Sequence, residues 1–232
     1  LTELRAVANG AEVEMLRGDL AVMADTARLA KEIAARTDRI DVLMNNAGGT
    51  PSQQVITAEG NEETFAGNHL GPFLLTKLLL PVLEATAAKQ PKGSVRVINT
   101  SSSAHEYIEG MNWDDLQSLK TFVTNKAYCA AKLANVYFTR ALAKRVAPKG
   151  IVVHAMHPGV VATNFASHGD APMQKFFADY GDKASTPAHG ADTLIWLAMD
   201  PEPGKSNGGY FFERAPAAVS PAGQDDALAE RL

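Results

Sequence analysis

The stretch KAYCAAK, residues 126–132, places Tyr128 four positions before Lys132, with only Cys129, Ala130 and Ala131 between them. Alanine is the best helix former, so the stretch reads as helix. Side chains at i and i+4 share one face, with Cβ atoms roughly 5–6 Å apart. A phenol held beside an ammonium is either an accident of packing or an acid–base device. Four further groups of small and polar residues stand out: Gly18-Asp19, Asn45-Asn46-Ala47-Gly48, Thr100-Ser101-Ser102-Ser103 and His157-Pro158-Gly159. Each alone is ordinary turn chemistry. Together they follow successive apolar runs, where a ligand approaches the strand ends of an open α/β sheet.

The elements that must position these residues alternate. A short strand is expected within residues 11–20, a helix over 22–38 and an apolar strand over 39–48. Residues 61–88 read as a long helix or a broken pair, with Pro72 as the interior offender. A strand follows over 94–103, then a helix over 126–146, a strand over 150–159, a helix over 187–199 and a last strand over 208–212. Near-continuous apolar strands point to a parallel sheet covered on both faces. Strand–helix alternation predicts a doubly wound, Rossmann-like α/β fold. With 232 residues, one domain spanning 1–232 is the expectation.

Composition narrows the function. The chain is 46% hydrophobic and 21% charged with net charge -4, which argues against a nucleic-acid partner, since such proteins carry a strong basic patch. Its single cysteine, Cys129, excludes an intrachain disulfide and favours a reducing, cytoplasmic setting. The longest apolar run, LGPFLLTKLLLPVLEA, is broken by Pro72, Lys77 and Pro81, so no membrane span is visible. His69, His105 and His157 have neither the spacing nor the cysteines of a zinc site; core or loop roles are expected for all three. Cys129 has no base nearby in sequence and reads as a small buried hydrophobe.

The ordered set NNAG, Asn68, Ser102, YCAAK and HPGVVAT resembles the short-chain dehydrogenases/reductases over essentially the whole chain. NHLGPFLLTKLLLP, DDLQSLK, AYCAAKLANVYFTRALAKR and MHPGVVATNF are most similar to the retinol-dehydrogenase-like branch. The resemblance implies an NAD- or NADP-dependent oxidoreductase interconverting an alcohol with a ketone or aldehyde, with a lipophilic substrate. Tyr128 would exchange a proton with the substrate oxygen, its pKa of about 10 lowered by the neighbouring Lys132. Lys132 would also hold the ribose hydroxyls of the cofactor. The family pattern I/V-N-x-S-S aligns with Ile98–Ser102 and selects Ser102 to bond the substrate oxygen, with Ser103 as runner-up. Asn68 would maintain a proton-relay water, and Pro72, unable to donate to the Asn68 carbonyl, would leave that acceptor free. Ala131 replaces a serine often found before the lysine.

The family's glycine-rich phosphate turn is not in the sequence: no two glycines stand two apart. LTELRAVANG reads as a helix tail capped by Gly10, and the chain begins with Leu rather than Met. The expectation is therefore that the first two strands lie upstream of Leu1, leaving a wide gap between residues 12–17 and 40–45 with Leu1 at its rim. What remains of the implied cofactor site is Asp19 and Leu20 at the adenine end, Asn46, Ala47 and Gly48 at a strand turn, and Tyr128, Lys132, Pro158, Gly159, Val161 and Thr163 at the nicotinamide end. Residues 164–186 fall where the family keeps its substrate lid. There Phe165, Phe176, Phe177 and Tyr180 either line an apolar pocket or pack the lid down. The resemblance also implies a homodimer through the helices at 61–88 and 126–146, with NVYFTRALA supplying spare apolar surface. Rival readings are a non-catalytic cofactor-binding regulator or scaffold, and a nucleotide-sugar epimerase. The latter needs a larger C-terminal domain than the short segments after Thr163.

Overall fold

The computed structural model describes residues 2–232. Its five strands, β1 (Val42–Asn45), β2 (Arg96–Thr100), β3 (Val152–Met156), β4 (Tyr210–Phe212) and β5 (Ala215–Pro216), lie side by side in chain order. β1 to β4 are parallel and β5 turns back antiparallel to β4. The helices are α1 (Thr2–Val7), α2 (Met23–Arg36), α3 (Glu63–Phe65), α4 (Gly71–Ala87), α5 (Thr124–Val146), α6 (Ala171–Tyr180), α7 (Pro187–Met199) and α8 (Asp226–Arg231).

Alternation along the strands sorts the core. Val97 and Val153 face Leu83 of α4 and Phe138, Leu142 and Val146 of α5. Ile98, Met156 and Phe211 face Leu197 and Ala198 of α7. β2 and β3 are therefore covered on both faces, as their apolar runs require. β1 pairs only with β2, and Met44, on the α7-facing side, is 49% exposed.

One expectation about the start of the chain needs correction. Residues 11–20 form no strand; they are irregular and largely exposed. A strand needs a ladder partner for its N–H and C=O groups, and none of the described strands reaches it. No ladder joins 12–17 to 40–45. Instead a cleft of about 1010 Å³ lies between Arg17–Ala21 on one wall and Ala47–Gln53 on the other. The expected position of Leu1 falls outside the described residues.

Glu63–Ala87 runs as one helix, not a broken pair, because the chain absorbs Pro72 by widening. Ala66–Leu70 form a π-helical turn in which the Gly71 N–H bonds the Ala66 carbonyl. Pro72 follows that turn inside the continuous helix, and the Asn68 carbonyl that a donor at position 72 would have met is bonded by Asn135 instead. The helix must also pass the loop at Leu20: a Cβ on Gly71 would stand 2.2 Å from the Leu20 carbonyl oxygen. By length and apolar content this helix is capable of crossing a membrane, contrary to the reading of its sequence. It packs here as a core helix, through Leu79 and Leu83.

The surface expected from NVYFTRALA is not free either. α8 and its approach lie over α5, burying Leu133, Ala134, Tyr137 and Ala141 together with Ala229. Arg140 and Lys144 pair with Asp226, and Arg145 with Glu230. The apolar face of α5 is thus satisfied within one chain.

Candidate active site

α5 brings Tyr128 and Lys132 onto one buried face, with the Lys132 Nζ 5.4 Å from the Tyr128 ring centroid. The ammonium points at the strand ends: Nζ donates to the Thr100 carbonyl at 3.3 Å. A Cβ on Gly48 would stand 3.3 Å from Nζ and 2.5 Å from Asn68 Oδ1, so only glycine lets the β1 turn approach both. Asn68 holds that turn, donating to Gly49 O at 2.7 Å while Gly49 N–H donates back to Oδ1 at 3.3 Å. Ser102 follows β2, and its side chain lies beside the Tyr128 phenol, where it favours the ionised form. Asn68, Ser102, Tyr128 and Lys132 therefore gather at the carboxyl ends of β1 and β2.

Burial dominates the electrostatics. The Tyr128 phenol is pushed up to about 12 by desolvation, which the nearby Ser102 side chain only partly offsets. The expectation that Lys132 lowers this pKa is corrected: burial pushes Lys132 itself down to about 8. A sequestered site favours the neutral form of each group. Cys129 is likewise held as a thiol, raised to about 11 by burial.

The Asn68 carbonyl is not free, as Pro72 suggested it would be. Asn135, one turn beyond Lys132, donates to it at 3.0 Å, and its Oδ1 meets His69 Nδ1 at 3.1 Å. Sequence reading missed Asn135, although an asparagine inside a helix three residues after the lysine was the signal. It also missed why the β1 end carries two asparagines. Asn45 bridges Thr76 and Asn99 at 2.9 and 2.8 Å, and Asn46 accepts from the Thr100 hydroxyl at 3.0 Å.

The cofactor residues expected from sequence are brought only partly together. Asp19, Leu20, Ala47 and Gly48 line the large cleft with Asn68. Asn46, Tyr128, Lys132 and the loop Pro158–Thr163 lie outside its lining. Asp19 is fixed by bonds between its N–H and Asp25, 2.6 Å, and between Oδ1 and the Ala21 N–H, 2.9 Å. Gly159 turns with φ +75° against Phe212. Val161 bridges to Ser185, and Thr163 caps the turn that carries Phe165. The Phe165 ring lies 5.6 Å from that of Tyr128, and Phe177, Phe176 and Tyr180 continue the contact chain along α6. His157 stacks on Phe212 at 4.3 Å, a loop role of the kind expected.

A sheet of parallel strands with helices on both faces and a cleft at their carboxyl ends is the architecture that binds nucleotides at its strand ends. A family profile described as short chain dehydrogenase matches residues 1–173, and the chain belongs to that family. Human retinol dehydrogenase 14 is 35% identical over 92% of this chain, and the chain spans 62% of that relative's length. An uncharacterised protein from Mycobacterium paratuberculosis has 28% identity and a TM-score of 0.69, covering 99% of this chain and 76% of its own. A Beutenbergia cavernae protein described as an NAD(P)-dependent gluconate 5-dehydrogenase, with bound NADP, has 25% identity and a TM-score of 0.63, covering 89% and 77%.

Proposed function

We propose that this chain is the catalytic part of an NAD- or NADP-dependent oxidoreductase that interconverts an alcohol and a ketone or aldehyde, with Tyr128 as general acid and base. The carrying observation is that the Lys132 ammonium, beside Gly48, donates to the Thr100 carbonyl, while the Ser102 side chain and Phe165 flank the buried Tyr128 phenol. The residues present fit a dinucleotide at its two ends. Gly49 offers bare backbone to the cleft, with nothing within 4 Å of where its Cβ would be, and Asp19 stands across from it. The nicotinamide would supply or accept the hydride. Lys132, Gly48 and the Pro158–Thr163 loop would hold that end, and Asp19 and Leu20 the adenine end.

Ser102 would donate its hydroxyl proton to the substrate oxygen and stabilise charge developing there. Tyr128 would pass its own proton to that oxygen during reduction and recover it during oxidation. At neutral pH burial keeps the phenol protonated. Phe165 against Tyr128, with Phe177 behind it, supports an apolar substrate body, in keeping with the named relative.

The test is Tyr128→Phe. Turnover of long-chain aldehydes with NADPH and NADH should fall ~10²–10⁴-fold, while cofactor affinity and unfolding midpoint stay near wild type. Retained turnover would remove Tyr128 from the chemistry. Cofactor binding by the wild type without turnover of any apolar carbonyl would favour the regulator reading.

A further inference from the structure

His105 is a fully buried imidazole that the roles above leave unused. It lies in the tight turn Ser103–Tyr107, whose N-cap is Ser102. The Ser220 N–H donates to Nε2 at 3.3 Å. Nε2 is then an acceptor, and in a neutral ring the proton resides on Nδ1. Nδ1 stands 2.7 Å from the Ser102 carbonyl oxygen, to which it donates. The Tyr210 hydroxyl lies 3.4 Å from the same nitrogen, with its ring edge-on at 5.1 Å. One imidazole therefore joins the C-terminal segment, the last parallel strand and the Ser102 backbone at the site.

The consequence falls on Ser102. Its Oγ accepts from the Ala104 N–H at 3.1 Å, which occupies one lone pair and leaves the hydroxyl proton for Tyr128 or a substrate. That division depends on the backbone angles of Ser102, φ -159° and ψ 149°. Its carbonyl is anchored by the His105 ring as well as by the His105 N–H, 3.1 Å. A residue that merely filled space would need no proton on a particular nitrogen; this one is gripped on both.

We propose that His105, held as its Nδ1–H tautomer by the Ser220 amide, is a positioning residue that fixes the Ser102 backbone and so aims the Ser102 hydroxyl at the reacting oxygen. The inference rests on the role given to Ser102 and Tyr128 above. An asparagine amide reaches the place of Nδ1, and a glutamine amide the place of Nε2. His105→Asn therefore keeps the tether to Ser102 and loses Ser220, while His105→Gln does the reverse. His105→Asn should keep kcat within a few-fold. His105→Gln should lose on the order of tenfold to a hundredfold in kcat, the scale of a small misplacement, with KM and cofactor Kd unchanged. Adding His105→Gln to Ser102→Ala should cost nothing further. Imidazole ¹⁵N shifts of the wild type, which need no turnover, should report the Nδ1–H form. An Nε2–H tautomer overturns the inference. So does full kcat in His105→Gln alongside a defective Ser102→Ala, which leaves the reading of Ser102 intact. Full kcat in Ser102→Ala overturns both.

Discussion

His69 shows at the scale of one residue what burial does to a titratable group. It lies among Phe65, Phe73 and Phe138, and desolvation pushes its pKa down to about 4 against the weaker pull of the Asn135 hydrogen bond. The unfolded chain, with an ordinary histidine, binds the proton more readily. Stability from this group is therefore complete above pH about 6.5 and is lost as pH falls toward 4. Between pH 7 and pH 5 the loss should be on the order of 2 kcal/mol. His69→Gln should show a correspondingly flatter dependence in urea titrations at the two pH values. Parallel slopes for wild type and variant would refute the assignment. Lys132 obeys the same sign in another window. Its folded pKa of about 8 means that its contribution is complete above pH about 10.5 and lost as pH falls through 8.

The informative element is the long helix and its π turn. Pro72 removes the donor that would have met the Asn68 carbonyl, and Asn135 replaces it from α5. Widening the helix thus creates a point where two helices and the end of β2 are locked by one amide. Asn135→Ala should leave a buried acceptor unpaired and cost on the order of 2 kcal/mol. Pro72→Ala restores an N–H at the right position in the helix. The double variant Pro72→Ala/Asn135→Ala should then be more stable than the sum of the single changes predicts, as read from chemical denaturation. Strict additivity would mean that the proline and the asparagine are unrelated. Gly71→Ala tests the same stretch sterically. The clash with the Leu20 carbonyl should lower the unfolding midpoint, whereas Gly49→Ala, with open space around it, should not.

At the scale of the molecule, α8 changes how the surface is read. With α5 covered by its own chain, homodimerisation remains a proposal resting on α4, where Phe73 and Leu78 are exposed. Light scattering at micromolar concentration decides it. A mass of two chains that falls to one in Leu78→Asp supports pairing through α4, and a single-chain mass in the wild type ends the proposal. The exposed aromatics of α6 pose a similar question on the other side of Tyr128. Phe176 is 52% exposed, so α6 packs only part of its apolar surface downward.

Local pattern carried much of this protein. The Tyr128–Lys132 spacing is a helical fact whatever surrounds it, and the apolar runs at β1 to β4 have few other homes. α7 begins at Pro187 and ends at Met199, as its residue pattern predicts. Three matters were decided only by tertiary contact. Residues 11–20 form no strand because they have no partner: a ladder is a property of two segments rather than one. α5 carries apolar residues that seemed spare until α8, nearly 90 residues further on, lay over them. The pKa values of Tyr128 and Lys132 follow the amount of protein that excludes water from them, which no spacing encodes. His105 stands between the two cases. Its position beside Ser102 was plain in the sequence, but the amide that fixes its tautomer comes from Ser220, which only the fold brings within reach.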